Sequence, residues 1–235
     1  MKKNKIVILL CVLFSVLAVM MLPQQYRQKI WNKVLIPYKV VYTLDMENII
    51  KMHGGHMNAF YNNKINHGKE CYIAHGGGVG EFHYKNCREG LLDALEKGFQ
   101  FIEIDFLKTV DGHLVGGHSW FDLAQLVGLP EEEVRNMPLS ELKKLRISGR
   151  YTVLSGVDVK SIMEECAHMI LVTDKINDYK LLLEEIPLPE RMLVETVGGM
   201  YDYKVAIEAG VRYPIFPASD IEIVEKYGFP IVGNF

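Results

Sequence analysis

Two histidines and two acids lie in the stretch 71–120, close to the predicted ends of strands. His75 follows the apolar run YIA and precedes three glycines, and His118 closes the sequence HLVGGH. Glu103 and Asp105 are separated by one residue in the run FIEIDF, so on a strand both side chains point to the same face. One imidazole can act as a general base while another acts as a general acid. Carboxylate oxygens are the ligands that Mg²⁺ and Ca²⁺ prefer, and the four residues therefore predict a metal-assisted acid/base site.

The pair of acids would be costly on a strand that is buried on both faces. Carboxylates removed from water need a compensating charge, and a divalent cation, Ca²⁺ or Mg²⁺, would supply it to Glu103 and Asp105. The alternative is that one acid caps a neighbouring helix while the other faces solvent. Because the two acids stand between aromatic residues in an apolar run, the sequence favours the cation.

The glycines after His75 can bring a ligand close to the backbone. Residues 76–78 are all glycine, and such a turn can present N–H groups to an anion. A second turn, at Asp111 and Gly112, reverses the chain after the next predicted strand. That reversal returns His118 towards the same strand ends, so both histidines are expected at one rim of the fold.

Short apolar segments alternate with helical segments from residue 71 onwards. Strands buried on both faces of a sheet are short, apolar and non-alternating. The segments of this kind are Cys71–His75, Phe101–Phe106, Met169–Asp174, Met192–Val197, Tyr213–Phe216 and Pro230–Val232. The helices predicted between them are Asn86–Lys97, Glu141–Leu145 with Ser140 as its cap, Asp158–His168, Asp178–Glu185, Asp202–Glu208 and Asp220–Tyr227. This alternation indicates βα units and a parallel sheet.

The amino-terminal part of the chain differs in composition from the rest. Residues 1–5 are basic, residues 6–22 are uncharged and apolar, and residues 23–70 form a mixed linker or extension before the domain at 71–235. The apolar run is at the lower length limit for spanning a bilayer. It lacks a good signal-peptidase site, so we expect a transmembrane anchor with an extracytoplasmic domain. Secretion after signal cleavage is the alternative.

The charge of the chain gives no reason to expect a nucleic-acid partner. The 235 residues carry a formal net charge of -3, whereas nucleic-acid-binding proteins concentrate Lys and Arg on one face. The four cysteines have no CxxC spacing. Free thiols are therefore expected, with a single Cys71–Cys87 or Cys87–Cys166 bridge as the alternative.

The pattern IAHGGG…YKN…EGLLDALEKGFQFIEIDFLKTVDGHLVGGHSW resembles the glycerophosphodiester phosphodiesterase family, within the phosphatidylinositol-phospholipase-C-like phosphodiesterases. That family has a TIM-type (β/α) barrel with H-R-G on the first strand, E-N-T at the first helix, E-x-D on the second strand and a D-G-x-x-V-x-x-H-D hairpin. The resemblance implies that His75 and His118 are the catalytic histidines and that Glu103 and Asp105 are metal ligands. It also implies divalent-metal hydrolysis of a small-molecule or lipid-derived phosphodiester to an alcohol and a phosphomonoester.

The third strand of the family carries an acid, a spacer and a lysine, and the matching stretch here is LVTDKIND. The resemblance assigns Asp174 as the third metal ligand and Lys175 as a phosphate-facing cation. Alternation would turn only one of these adjacent side chains inward, unless the strand ends or bulges there. Glu195, on the next strand, is a further inward candidate, with a salt bridge or a solvated rim as its alternative.

The chain departs from the family pattern at the phosphate-binding positions. Gly76 stands where the family has an arginine, so only its backbone could contribute to phosphate binding. Lys85 and Asn86 replace the E-N pair, and Ser119 replaces the aspartate of the H-D pair. Lys85 or Arg88 could take over the role of the arginine.

About six strands are predicted between residues 71 and 235, whereas a complete barrel has eight strands in roughly 250 residues. We therefore expect an incomplete TIM-type α/β barrel, whose open edge could support self-association or be covered by residues 24–70. Two functions remain open at this point. The chain is either an active phosphodiesterase or a degenerate or truncated membrane-tethered barrel that binds a phosphodiester or a protein.

Overall fold

The computed structural model describes residues 43–44, 73–196, 199–217, 220, 222, 226 and 233–234. The strands are β1 (Thr43–Leu44), β2 (Ile73–Ala74), β3 (Phe101–Lys108), β4 (Leu114–Gly116), β5 (Arg146–Ile147), β6 (Tyr151–Thr152), β7 (Ile170–Asp174), β8 (Met192–Glu195), β9 (Pro214–Ile215) and β10 (Gly233–Asn234). The helices are α1 (Arg88–Glu96), α2 (Trp120–Val127), α3 (Glu131–Arg135), α4 (Leu139–Leu142), α5 (Gly156–Glu165), α6 (Tyr179–Glu185) and α7 (Gly199–Ala209). Short 3₁₀ turns span His75–Gly77, Gly80–Phe82 and Pro189–Arg191.

Five strands form a parallel sheet in the order β2-β3-β7-β8-β9, and β4 pairs antiparallel with β3. Neighbouring strands follow the order of the chain, and each crossover between them contains at least one helix. This is the connectivity of a TIM-type (β/α) barrel wall. The predicted βα alternation is therefore confirmed over the described residues.

Helix α1 begins two residues later than predicted. Asn86 has a φ of 44°, which lies outside the helical region, and its side chain is fully buried. The helix therefore begins at Arg88, with Cys87 in extended conformation at the N-cap position. The buried asparagine belongs to the loop that reaches the sheet, not to the helix.

Helix α4, in contrast, begins earlier than predicted, so that Ser140 lies inside the helix and is not its cap. Its first residue is Leu139, and Pro138 occupies the N-cap position in extended conformation. The N–H of Leu139 donates to the carboxylate of Asp111 at 3.1 Å. A side chain from the β3–β4 turn therefore takes the place of the predicted serine cap.

Apolar side chains fill the space between the sheet and the helices that cover it. Ile104 and Leu171 of the strands belong to one buried cluster with Leu91 of α1, Met163 of α5 and Leu182 of α6. Full burial of a side chain of this size contributes about 1.5–3 kcal/mol. The strands are thus held on a packed layer, and their carboxyl ends can carry polar groups.

The segment between β4 and α5 packs around a second, smaller core. Its helices α2, α3 and α4 and the β5–β6 hairpin bury Leu123, Val134, Leu142, Ile147 and Val153. The acidic stretch that the sequence places in this segment forms α3, which buries only Val134. The segment between β4 and α5 is therefore a folded part of the domain.

Other predictions concern the termini and the cysteines. In the part of the chain that the structure describes, no helix has the length and apolar character needed to cross a membrane. Residues 6–22 lie outside that part, as do the predicted strand Pro230–Val232 and most of the predicted helix Asp220–Tyr227. Strand β10 pairs antiparallel with β1. Cys87 and Cys166 are free thiols, so the alternative bridge between them is wrong.

Candidate active site

Three carboxylates converge at the carboxyl ends of β3 and β7. Glu103, Asp105 and Asp174 each place one oxygen within 4.8 Å of the others. Glu103 and Asp105 are only 1% and 2% exposed, and they share one face of β3 as the strand geometry requires. Asp174 is the last residue of β7 and lies directly opposite Asp105 in the sheet register.

The charges of this acid cluster are poorly compensated by the described residues. Burial raises the pKa of Glu103 well above its usual range, and the charge of Asp105 adds to the effect. Burial and the neighbouring Asp174 carboxyl raise the pKa of Asp105 to about 6. Oδ1 of Asp174 is buried and accepts no hydrogen bond from the described part of the chain. An orphaned oxygen beside two destabilised carboxylates fits a divalent cation with hard oxygen ligands.

The first loop of the domain is tied to both buried acids. The backbone N–H of Gly76 donates to Oε2 of Glu103 at 2.5 Å. Nδ2 of Asn86 donates to Oδ2 of Asp105 at 2.8 Å, and the N–H of Asp105 donates to Oδ1 of Asn86 at 3.0 Å. The N–H of Asn86 also donates to the carbonyl of Gly76 at 3.1 Å. Asn86 therefore closes the loop onto Gly76 through its backbone and orients the carboxylate of Asp105 through its side chain.

Gly76 occupies a position that only glycine fits. Its φ is +64°, and a Cβ atom built there would lie 2.7 Å from both the Cα and the N of Tyr84. A larger residue at this position would have to displace the Tyr84 backbone. Because its N–H is engaged by Glu103, Gly76 does not offer that donor to a phosphate in this structure.

His75 lies beside the acid cluster. Its Nε2 is 3.9 Å from Oε2 of Glu103. Burial lowers the pKa of His75, and the nearby His83 lowers it further. A neutral imidazole at the rim of the cluster is suited to accept a proton.

His118 is held by a carboxylate that the sequence analysis missed. Its Nδ1 lies 2.8 Å from Oδ2 of Asp122, which leaves Nε2 as the nitrogen that can serve the site. Ser119 donates its hydroxyl to the same oxygen at 2.6 Å and accepts the N–H of Asp122 at 3.0 Å. Ser119 is the N-cap of α2. The spacing S-x-x-D after His118 is a helix-start signal that could have indicated this carboxylate.

Tyr84 lies between the two histidines, and the sequence analysis missed it as well. Its ring meets the ring of His75 edge-on, with centroids 4.9 Å apart, and the ring of His118 edge-on at 5.5 Å. One tyrosine thus links both imidazoles. No local sequence signal indicates this position, since Tyr84 adopts a φ of 59° that is rare for tyrosine.

Lys175 lies at the acid cluster because β7 ends just before it. It follows the last strand residue, Asp174, and has a φ of 61°. Its Nζ lies 2.5 Å from Oδ2 of Asp174. Burial disfavours the charge, but the hydrogen bond and charge of Asp174 outweigh it and raise the pKa of Lys175. The left-handed residue after the strand explains how adjacent side chains both reach the site.

The remaining candidates lie further from the centre of the site. Glu195 ends β8, and its charge is one of those that raise the pKa of Glu103. Nζ of Lys85 donates to the backbone carbonyl of Glu81. Arg88 is exposed on the first turn of α1. Neither of these two cations is hydrogen-bonded to the acid cluster in the described part of the chain, and their role in place of the family arginine stays a prediction.

The fold and the site define a class: a (β/α) barrel with a three-carboxylate cluster and two histidines at the carboxyl ends of its strands. The model of the glycerophosphoryl diester phosphodiesterase family matches residues 75–214. The chain belongs to that family, which makes it a phosphoric diester hydrolase by descent. None of the curated proteins compared with the chain matches it.

Solved structures of the same class share the fold at low sequence identity. A glycerophosphoryl diester phosphodiesterase from Parabacteroides distasonis is 16% identical with a TM-score of 0.55, over 80% of this chain and 67% of that one. A phosphodiesterase from Oleispira antarctica, solved with the product sn-glycerol-3-phosphate, is 17% identical with a TM-score of 0.52, over 68% of this chain and 72% of that one. A further Parabacteroides distasonis enzyme is 17% identical with a TM-score of 0.50, over 67% and 69%. At such identities these structures support the fold of this chain, and its chemistry is inferred from the residues of the site.

Proposed function

We propose that this protein hydrolyses a glycerophosphodiester to an alcohol and a phosphomonoester. The observation that carries the proposal is the convergence of His75 with the cluster of Glu103, Asp105 and Asp174, with Nε2 of His75 3.9 Å from Glu103. Membership of the family supports the reaction class. The product bound to the Oleispira antarctica phosphodiesterase, sn-glycerol-3-phosphate, motivates the choice of a glycerol-type substrate.

The two histidines would divide the proton transfers. His75, whose pKa is lowered by burial, accepts a proton from the attacking water as its oxygen bonds to phosphorus. His118, held through Nδ1 by Asp122, gives a proton from Nε2 to the alcohol oxygen as the second phosphorus–oxygen bond breaks. The proton lost by water and the proton gained by the alcohol balance.

The acid cluster would hold the cofactor. Glu103, Asp105 and Asp174 supply three hard oxygen ligands, as Ca²⁺ or Mg²⁺ requires. A divalent cation bound there would offset the negative charge that builds on the phosphoryl oxygens. Lys175 adds a positive charge at the same rim. Glu195 is close enough to influence Glu103 electrostatically, and we propose it as an outer contributor to the cluster.

The experiment is a turnover assay of the full chain with bis(p-nitrophenyl) phosphate, in the presence of Ca²⁺, Mg²⁺ or EDTA. We expect metal-dependent release of p-nitrophenol that falls by roughly 10²- to 10⁴-fold in His75→Ala, which removes the general base. In His118→Ala the rate should fall by less, because p-nitrophenolate leaves without being protonated. His168→Ala is the matched control, because His168 precedes β7 at the opposite end of that strand from Asp174. Equal rates in the wild type and in both site variants would contradict the proposal. Tight phosphodiester binding without turnover would instead support the degenerate binder.

The site of action in the cell is a separate proposal. We propose that residues 6–22 anchor the protein in a membrane, because they are apolar and uncharged and follow basic residues. Fractionation of cells that express the full chain, with a variant lacking residues 6–22 as control, tests the anchor. Recovery of the full chain in the soluble fraction would contradict it.

A further inference from the structure

Tyr84 occupies the centre of the site without a role in the chemistry described above. Its ring lies edge-on to both His75 and His118, at centroid distances of 4.9 and 5.5 Å. The residue is 43% exposed, so part of it faces the space from which a substrate would arrive.

The backbone holds Tyr84 in a costly conformation. Its φ is 59°, a left-handed conformation that non-glycine residues adopt only at an energetic cost. The close packing of Gly76 against the Cα and N of Tyr84 and the closure of the loop by Asn86 onto Gly76 at 3.1 Å maintain it. Such strain is retained where the surrounding structure over-determines it, which is typical of binding sites.

A neutral hydrogen-bond donor can serve the phosphoryl group beside the cation proposed for the acid cluster. A phosphodiester brings a negative charge to a rim that already carries Glu103, Asp105 and Asp174. Lys175, which lies at the cluster, is paired with Asp174 at 2.5 Å. Burial raises the pKa of the Tyr84 hydroxyl, and the charges of Asp105 and Glu103 raise it further, so the phenol keeps its proton. A phenolic O–H can donate to a phosphoryl oxygen without adding charge.

We propose that Tyr84 binds the phosphoryl group of the substrate, with its hydroxyl donating to a non-bridging oxygen while its ring stands between the two histidines. This inference rests on the proposed function and deepens it. Tyr84 supplies a contact to phosphate where Gly76 has no side chain. The two features depend on one another, because a side chain at position 76 would collide with the Tyr84 backbone.

The substitution Tyr84→Phe tests the contribution of the hydroxyl, because it removes that group and keeps the aromatic ring. Tyr151→Phe is the matched control, since it removes a phenolic hydroxyl that donates to Glu81 at 2.7 Å, in the same loop as Tyr84. Turnover of bis(p-nitrophenyl) phosphate and binding of sn-glycerol 3-phosphate, by calorimetry with Ca²⁺ present, are measured on the full chain. We expect Tyr84→Phe to raise KM and the Kd of sn-glycerol 3-phosphate by roughly 10- to 100-fold, as for loss of a hydrogen bond to a charged group, with Tm unchanged. Tyr151→Phe should leave both values at the wild-type level.

The two measurements distinguish failure of this inference from failure of the proposed function. If the wild type binds sn-glycerol 3-phosphate but turns nothing over, the hydrolytic function fails, and weaker binding by Tyr84→Phe still supports the inference. An unchanged Kd and KM in Tyr84→Phe would overturn it. A fall in kcat alone would also overturn it, because Tyr84 would then act through the histidines. Absence of any binding by the wild type would overturn it as well.

Discussion

At the residue scale, the buried acids carry an energetic cost that either a bound cation or protonation can offset. Glu103 and Asp105 are almost fully buried, and burial raises the pKa of both. The charge of Asp105 raises the pKa of Glu103 further, and Asp174 raises that of Asp105. Asp174 itself keeps an orphaned oxygen. Without a cation, such a cluster is more stable when protonated. The site therefore makes the folded protein sensitive to pH and to metal.

The first prediction concerns pH in the absence of metal. Because the pKa of Asp105 is higher in the folded chain, at about 6, than the unfolded value of roughly 3.9, the folded state binds more protons between these values. The free energy of unfolding contributed by this group should therefore fall as pH rises through that window. Urea unfolding in EDTA at pH 4.5, 5.5 and 6.5 measures it.

The control for this prediction is Asp105→Asn, which removes the titrating carboxyl. The lowered pKa values of His75 and His83 act in the opposite direction near pH 6, so the comparison with the variant isolates the carboxyl. The free energy of unfolding should fall more steeply with rising pH in the wild type than in Asp105→Asn. Parallel curves would contradict the assignment.

The second prediction concerns the carboxylate that holds His118. Asp122→Asn should lower kcat by roughly 10- to 100-fold with KM nearly unchanged, as when the partner that orients a functional histidine is lost. The two constants are determined separately from rates measured over a range of phosphodiester concentrations that reaches saturation. Asp93→Asn, which removes a surface partner of Lys97 at 2.7 Å, serves as the control. Equal losses in the two variants would show that Asp122 has no particular tie to the chemistry.

At the element scale, the site is built where parallel strands end and one loop returns onto them. β3 carries two acids, β7 ends on Asp174, and the loop before α1 closes through Asn86. These hydrogen bonds are buried, so a substitution that removes one of them should destabilise the protein more than a substitution at the surface. The loss of such a bond should lower the free energy of unfolding even in the absence of substrate.

The third prediction is that Asn86→Ala lowers the free energy of unfolding by about 1–3 kcal/mol, since it leaves the N–H and carboxylate of Asp105 without their partner. Asn136→Ala is the control, because Asn136 is exposed and its side chain donates to the backbone carbonyl of Glu132, in the short helix that ends just before it. A surface change of this kind is expected to stay within about 0.5 kcal/mol. Urea unfolding in the presence of EDTA compares the two. Similar losses would contradict the account of the loop.

The sequence predicts these elements unevenly, for physical reasons. Buried parallel strands are continuous apolar runs, so β3 and β7 are visible, and the i, i+2 spacing orients Glu103 and Asp105. The left-handed conformations of Tyr84, Asn86 and Lys175 are not predictable, because tertiary contacts impose them against local preference. The carboxylate of Asp122 reaches His118 only once α2 has formed. The separate catalytic, metal-binding and phosphate-binding roles stay predictions.

At the scale of the whole molecule, family membership and the barrel connectivity agree with the site. The matched residues, 75–214, include every candidate residue of the site. The barrel type and the family follow from the sequence because the motifs of β2, β3 and the β4 hairpin lie together. The predicted anchor at 6–22, the open barrel edge and the absence of a nucleic-acid partner stay predictions.

The fourth prediction couples the metal to global stability. A cation that binds only the folded state should raise the free energy of unfolding by about 2.7 kcal/mol at a concentration 100 times its Kd. Calcium or magnesium should therefore raise Tm, and EDTA should reverse the shift. Asp174→Asn should abolish the shift, whereas Glu164→Gln, on the exposed face of α5, should retain it. A Tm that does not respond to either ion would contradict the metal site.

The most direct test of the central claim is hydrolysis of sn-glycero-3-phosphocholine by the full chain with Ca²⁺, followed by ³¹P NMR. We expect the diester signal to be replaced by a phosphomonoester signal, and hydrolysis by His75→Ala to be slower by at least about 10²-fold. His168→Ala should match the wild type. A diester signal that persists in the wild type, or one that decays equally fast in His75→Ala, would contradict the account.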